Sequence, residues 1–501
     1  MVSFLRGRGS FFCALMHFWG KMYGASEELK YLCGQKRKKL IAMTIADLYE
    51  VFKLHPEVTT DSRRCPAGSM FFALKGESFD GNQYAAKALE AGAAVAVVDD
   101  ATVVPAGERL TAPDGAGRYV VVDDVLTALQ QLAAHHRRQF RGPVLQVTGT
   151  NGKTTTKELL AAVLSRKYRV LYTQGNLNNH IGVPLTLLRL RLDEHEIAII
   201  ETGANHPGEI AFLAEIVDPD YGLVTNVGRA HLEGFGSFEG VKRTKGELYD
   251  YLKAKPSGRI FINESNYDLQ DMLVERDIDI DTDACITYAR EQALTMTWIC
   301  EGDVIAADPL LRLWWRPKYE AQQVVQTRLI GAYNADNVLA AVAVGLTFDV
   351  DPADISAALE DYRPSLGRSE LRQTEHNELI VDAYNANLTS MTAALDNFRG
   401  IEHAQKMLIL GDMKELGEAS AEAHRAVVSL ALNCGAQTVW FVGAEFARAL
   451  QDMAAPEGVE VCVFEDVEAV KQAIDAEQPT GRLILIKGSN STKLHQLPER
   501  L

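Results

Sequence analysis

Residues 148–156 read Thr-Gly-Thr-Asn-Gly-Lys-Thr-Thr-Thr, directly after the apolar run Val144-Leu145-Gln146-Val147. This is a strand, a glycine loop and a helix start, an order that aims backbone N–H groups and a helix N-terminus at phosphate. Lys153 can reach the β- and γ-phosphates as a compact cation, and the Thr154 hydroxyl can ligate Mg²⁺. ATP and Mg²⁺ are therefore the expected ligands, with Gly149, Thr150, Asn151, Gly152 and Thr155 completing the loop. The common phosphate loop has a further glycine five residues before its second one; here that position is Val147. The loop is a short variant, which narrows the enzymes it can serve.

A chain of 501 residues is too long for one ordinary core and predicts roughly two to four domains. After Met43, short apolar runs alternate with helical stretches. Strands are expected at Met70–Leu74, Val95–Val98, Val144–Val147, Ile197–Ile200, Leu223–Thr225, Leu379–Val381, Met407–Leu410, Val439–Val442 and Leu483–Ile486. Helices are expected at Leu126–Arg138, Thr154–Lys167 and Ala419–Asn433. Buried strands separated by helices predict an α/β protein with parallel, doubly wound sheets. Three domains are expected: a small α/β unit over 43–125, a central ATP-binding unit with a parallel sheet over 126–365, and a Rossmann-like unit over 366–501. The stretch Pro364-Ser-Leu-Gly367 is the expected hinge. Residues 275–325 match no chemistry and read as packing and edge structure.

Charge is unevenly distributed. Residues 1–42 hold eight basic and two acidic side chains, whereas the whole chain carries −16. Neither nucleic acid nor anionic lipid is an expected partner of such a chain. Phe11–Trp19 is apolar but much too short to cross a bilayer. Met43 opens a clean amphipathic segment, so residues 1–42 read as a disordered extension or a misassigned start. The seven cysteines are scattered, with no Cys-x-x-Cys pair. That pattern fits neither a disulfide framework nor a zinc site, and points to a reducing compartment, the cytoplasm.

The unusual polar residues follow strands: Glu201, Asn226, Asp382, Asp412 and Lys487. Open α/β sheets bind ligands at that edge. A lone Glu201 would be an ordinary solvated carboxylate; with a phosphate loop one strand earlier it becomes a candidate ligand for Mg²⁺. His231, in Asn226-Val-Gly-Arg-Ala-His231-Leu-Glu-Gly-Phe-Gly236, reads alone as a packed histidine. Lys245, in Lys242-Arg-Thr-Lys-Gly-Glu-Leu, reads alone as part of an exposed helix face.

Taken together, Thr148–Thr156, Glu201–Glu209, Thr225–Gly236 and Lys245-Gly-Glu resemble the Mur ligases, ATP-dependent amide-forming enzymes of peptidoglycan precursor synthesis. The resemblance implies that His231 and a carbamylated Lys245 organise the metal site with Thr154 and Glu201. A plain ammonium would repel Mg²⁺, whereas a carbamate would donate oxygen to it. It also implies that Asn176 lies beside the γ-phosphate and Asn337, in Asn334-Ala-Asp-Asn337, near adenine. Arg368 and Asp382 would close over the nucleotide. Alone, Asn176 would be a turn asparagine, Asn337 a helix cap and Arg368 a surface cation.

The segments Thr60-Asp-Ser-Arg-Arg64, Phe72-Ala-Leu-Lys-Gly-Glu-Ser-Phe-Asp-Gly81 and Ala91-Gly-Ala-Ala94 are similar to the family's uridine-nucleotide module. Asp61, Ser62, Arg63, Lys75 and Gly76 would hold the UDP substrate. Three more segments are similar to the branch that adds D-alanyl-D-alanine to UDP-N-acetylmuramoyl tripeptide. They are His231–Ser237, Asp382-Ala-Tyr-Asn-Ala-Asn387 with Ser390-Met391, and Gly411–Gly417 with His424. The Asp-Asn-Pro-Arg motif of the preceding ligase is absent. Leu388 and Asn490 depart from a frequent proline and a frequent arginine. The implied reaction runs through an acyl phosphate, in a cytoplasmic monomer without integral membrane association. Two rivals share features: a folylpolyglutamate synthase-like ligase, which should lack the 60–94 segment, and a P-loop hydrolase or nucleotide-gated binding protein, which would need neither Lys245 nor a third domain.

Overall fold

The computed structural model describes residues 43–501 other than 109, 112–113, 230–231, 365–366 and 452. Residues 1–42 lie outside it. The chain divides into two compact units between His135 and His136. That boundary falls inside the helix Val125–Arg137.

In the first unit four parallel strands lie in the order Val58–Thr59, Met70–Phe72, Val95–Val98 and Tyr119–Val121. Phe71, Ala73, Ala88, Leu89 and Ala96 form its core with the helix Ala85–Glu90. A two-stranded ribbon, Lys75–Gly76 with Phe79–Asp80, follows the second strand.

The second unit holds two sheets. The first has nine strands. From Val170–Tyr172 it runs through Ile197–Glu201, Val144–Thr148, Tyr221–Val224, Arg259–Asn263 and Cys285–Arg290 to Trp298–Ala307, all parallel. Leu310–Pro317 and Gln323–Ile330 then continue it antiparallel. Residues 275–325 are thus the sheet's extension toward one edge, with the Trp315 side chain fully buried. Valine and isoleucine suit these strands because both faces are covered. On one face Leu159, Leu160 and Val163 of the helix Lys153–Leu164 pack with Val338, Leu339 and Val342 of Ala335–Thr347. Each such side chain contributes about 1.5–3 kcal/mol by leaving water. On the other face Ile210, Val241, Leu248, Leu269 and Met272 close a separate core.

The second sheet has six strands, in the order Glu370–Gln373, Glu378–Asp382, Leu483–Lys487, Lys406–Gly411, Thr438–Val442 and Glu460–Phe464. All pairs but the first are parallel. Leu483–Lys487 lies between strands that precede it in the chain, and a ligand crevice forms at such a reversal. The expected boundary at 365/366, with Ser365 and Leu366 of the expected hinge, lies outside the described residues.

Candidate active site

The phosphate loop is built by close approach. Thr148 ends a wholly buried strand, and Gly149 and Gly152 follow with φ of 142° and 78°. A Cβ at Gly149 would stand 2.0 Å from Thr225 Oγ1, and one at Gly152 2.6 Å from Asn337 Oδ1. Only glycine fits there. Gly152 is also the N-cap of Lys153–Leu164 and gives no side-chain cap, which leaves the helix N-terminus for an anion. The next strand's end clamps the loop. Asn226 Oδ1 accepts from Asn151 N (3.0 Å) and its Nδ2 donates to Asn151 O (3.0 Å). Thr225 Oγ1 donates to the same carbonyl (2.6 Å), and Gly228 N donates to Thr150 Oγ1 (2.9 Å).

Lys153 folds back on this loop, with Nζ donating to Gly149 O and Thr150 O, both at 2.8 Å. Burial pulls its ammonium down to about 8, against the field of Glu201 and with that of Arg368. Thr155 is half-buried on the same helix.

Glu201 ends the neighbouring strand and is 1% exposed. Its Oε1 accepts from Thr154 Oγ1 (3.1 Å) and from Asn178 Nδ2 (2.8 Å). Its Oε2 is buried without a hydrogen-bond partner. A buried carboxylate oxygen left open is what a hard divalent cation satisfies. Lys245 lies on the helix Phe238–Ala254, started by Ser237, whose Oγ accepts from Gly240 N (3.0 Å). Val241, Leu248 and Leu252 hold that helix on the core, and Lys245 itself is 2% exposed. The sequence alone suggested an exposed helix face; tertiary packing covers this position. Lys245 Nζ lies over the Phe235 ring (5.3 Å). Burial first, and Lys153 second, pull its ammonium down to about 7. His231 lies outside the described residues. Among those described, no group of three or more His, Cys, Asp or Glu side chains is arranged to hold a metal. The fit to Mg²⁺ therefore rests on Glu201 Oε2, the Thr154 hydroxyl and whatever oxygen Lys245 can carry.

The helix after the second strand of the six-stranded sheet also reaches the loop. Asn387 caps the helix Leu388–Gly400 in a reciprocal box with Ser390, and its Nδ2 donates to Asn151 Oδ1 (2.8 Å). Leu388 takes the first helical position, where proline is common for its fixed φ but leucine is equally compatible. The Arg368 guanidinium stacks on Tyr384 at 3.6 Å, and its Nε is buried without a hydrogen-bond partner. Asp382 Oδ2 accepts from Lys487 Nζ at 2.5 Å. Asn490 is exposed at the start of the turn Asn490–Thr492. Asn337 is buried against Gly152, and its amide is engaged: Oδ1 accepts from Thr156 Oγ1 (3.0 Å) and Nδ2 donates to Asn334 Oδ1 (2.8 Å). Asn176 is exposed in a turn, while Asn178, two residues on, is the side chain that meets Glu201.

In the first unit Asp61 grips Arg63, accepting from its backbone N (3.0 Å), Nε (2.9 Å) and Nη2 (2.9 Å). This bonding pulls the Asp61 carboxyl down to about 2. Ser62 forms the turn between them. Lys75 pairs with Asp99 (2.8 Å), and Gly76 faces Phe79 in the ribbon. Asn82, buried, fixes this end by donating to Asp80 Oδ1 (2.8 Å) and Asp99 Oδ1 (2.7 Å).

The sequence gives no individual role to Asn178, Asn82 or Asn387, although Asn387 stands in the segment Asp382–Asn387. The spacing of Asn387 to Ser390 is a capping pattern and could have singled it out. Nothing in the run Asn176-Leu-Asn-Asn separates Asn178 from its neighbours.

Three Mur ligase descriptions match the chain: the family's catalytic domain over residues 56–137, its middle domain over 147–345, and its glutamate ligase domain over 367–490. The UDP-N-acetylmuramoyl-tripeptide–D-alanyl-D-alanine ligase of Bacillus subtilis is 34% identical, covering 90% of this chain and 94% of its own. The crystal structure of MurF from Acinetobacter baumannii superposes with a TM-score of 0.75 at 30% identity, over 91% of this chain and 97% of that one. That of MurF ligase from Thermotoga maritima in complex with ADP gives 0.73 at 25% identity, over 89% and 97%. With its phosphate loop, its buried strand-end glutamate and similarity that runs through both units, the chain belongs to the Mur ligase family.

Proposed function

We propose that this protein joins D-alanyl-D-alanine to UDP-N-acetylmuramoyl tripeptide, using ATP, in peptidoglycan precursor synthesis. The observation that carries this reading is the convergence on one phosphate loop of a strand-end carboxylate with a free oxygen, Glu201, and a contact from Asn387, the cap of the helix Leu388–Gly400 that follows a strand of the six-stranded sheet. A simple hydrolase needs no second sheet against its loop. The full-length similarity to D-alanyl-D-alanine ligases supports the choice of substrates.

In the proposed reaction an oxygen of the tripeptide's terminal carboxylate bonds to the γ-phosphorus of ATP as the bond from that phosphorus to the β-phosphate oxygen breaks. ADP leaves, and an acyl phosphate remains. The dipeptide amine then bonds to the acyl carbon, phosphate departs, and the nitrogen loses a proton. Lys153 exchanges the Gly149 and Thr150 carbonyls for the phosphates and neutralises charge as it moves. Gly149–Thr155 would bind the phosphates through backbone N–H groups. Thr154, Glu201, His231 and a carbamate on Lys245 would hold Mg²⁺, which when bound offsets phosphate charge. Burial favours that carbamate: an amine at about 7 is substantially neutral near that pH, and the neutral amine is the form that bonds to CO₂.

Arg368, with its unbonded Nε, is proposed to meet phosphate, and Asp382 to steady the crevice through Lys487. Asn337 and Asn176 are proposed on the nucleotide side, Asn337 by its close approach to Gly152. An acyl phosphate hydrolyses in water, so the second sheet's residues must exclude it during the reaction. Asp61, Ser62, Arg63, Lys75 and Gly76 are proposed to bind the uridine nucleotide. The domain limits 43–125, 126–365 and 366–501 are proposed as the UDP-binding, ATP-binding and dipeptide-binding segments. A cytoplasmic monomer is proposed. No helix among the described residues is long and apolar enough to cross a membrane.

The test mixes purified protein, ATP, Mg²⁺, UDP-muramoyl tripeptide and D-alanyl-D-alanine. Phosphate release should require the dipeptide and match pentapeptide formed. Release that ignores the dipeptide would sink the assignment.

A further inference from the structure

Lys157 has no part in the mechanism above, yet its side chain is wholly buried. A buried ammonium is tolerated only when its donors are satisfied. Here Nζ donates to Thr173 O (2.8 Å), lies 3.5 Å from Glu158 Oε1, and stands 5.5 Å from the centre of the Tyr172 ring. A methionine would fill similar space with no charge to bury, so space-filling does not explain the lysine.

What the lysine holds is the residue beside Glu201. Thr173 follows the strand Val170–Tyr172, and its N donates to Ile199 O (3.1 Å). Its Oγ1 accepts from Glu201 N (3.0 Å). Lys157 thus fixes the carbonyl of the residue whose hydroxyl fixes the backbone of Glu201. Thr154, on the same helix as Lys157, fixes the carboxylate itself at Oε1. Together they leave Oε2 as the free atom. The same cation reaches outward as well: the Oε2 of its partner Glu158 accepts from Tyr362 OH (2.7 Å), just before the Pro364–Gly367 stretch.

We propose that Lys157 is a positioning residue for Glu201, acting through Thr173 to aim the carboxylate at the metal. The inference rests on the ATP and Mg²⁺ reading of this site. It is tested by Mn²⁺ binding to the full chain with a non-hydrolysable ATP analogue, followed by electron paramagnetic resonance without turnover. Outer partners of metal ligands typically change affinity about ten-fold or more. Lys157→Met should therefore weaken Mn²⁺ binding by about ten-fold and raise the half-saturating Mg²⁺ in the assay alike, with little change in kcat at saturating Mg²⁺. Thr173→Val, which removes only the hydroxyl, should do the same, and the double variant should lose no more than the worse single.

A purely structural lysine would lower the unfolding temperature and leave Mn²⁺ affinity alone; that result overturns the proposal, as do additive losses in the double variant. If Lys157→Met does not fold, Thr173→Val decides, and unchanged affinity there overturns it. Glu201→Gln separates the two levels. If it abolishes Mn²⁺ binding while Lys157→Met does not weaken it, this inference alone fails. If Glu201→Gln binds Mn²⁺ normally, the metal-site reading fails and takes the inference with it.

Discussion

Glu201 and Asp382 are both carboxylates on the last residue of a parallel strand, one in each sheet of the second unit. Their surroundings differ. Register puts Val147 opposite Glu201, so no cation answers it from that strand, and one oxygen stays open. Register puts Lys487 opposite Asp382, and the two close at 2.5 Å. The same device at the same kind of edge leaves an open carboxylate oxygen in one sheet and a finished ion pair in the other. The neighbouring strand decides which.

The contrast can be broken by substitution. Glu201→Gln should lower kcat by about a thousand-fold, since it would remove the charge proposed to hold the metal, with little change in urea unfolding. Asp382→Asn should do the reverse in emphasis. It strands the buried Lys487 ammonium, 2% exposed, and should lower unfolding free energy by about 3 kcal/mol. If both variants lose activity alone and neither loses stability, the distinction between open ligand and closed pair is wrong.

Lys245 adds a pH-dependent case of a buried charge. Its folded-state ammonium titrates at about 7, below its ordinary value of 10.5. The unfolded chain therefore holds more protons between those limits, and stability rises with pH across that window. The burial penalty is complete below about pH 7 and relieved as the amine becomes neutral. In CO₂-free buffer the parent should gain about 2 kcal/mol on Lys245→Met between about pH 7 and pH 9, by urea unfolding. A flat difference would show that the lysine is not held as a buried cation. In activity, Lys245→Ala should be nearly inactive and partly rescued by small carboxylates; full activity would remove the carbamate from the mechanism. The smallest effect is expected at Asn387→Ala, which loses a helix cap and the Asn151 contact: about 1 kcal/mol of stability. A rise in KM for ATP should accompany it if that contact matters to the loop.

Much of this site was legible before the fold. Apolar runs end where parallel strands end, so the residues that follow them, Glu201, Asp382 and Lys487, could be assigned to the ligand-binding edge. The loop at 148–156 announced its own conformation, because Gly149 and Gly152 leave few alternatives. What could not be read was pairing across distance. Lys487 lies 105 positions from Asp382, and Asn387 lies 236 from Asn151. Asn178 looked no different from Asn176, since only tertiary contact turns one toward Glu201 and leaves the other exposed. Lys245 read as a surface residue because local sequence does not record which helix face another element covers.

The α/β alternation, the phosphate loop and the residue types at the strand ends follow from local periodicity and backbone sterics, and so are written in the chain. Which of those groups stay open and which are already satisfied depends on the folded neighbours. Burial and strand register set the energy of each charge, and both are properties of neighbours far away in the chain.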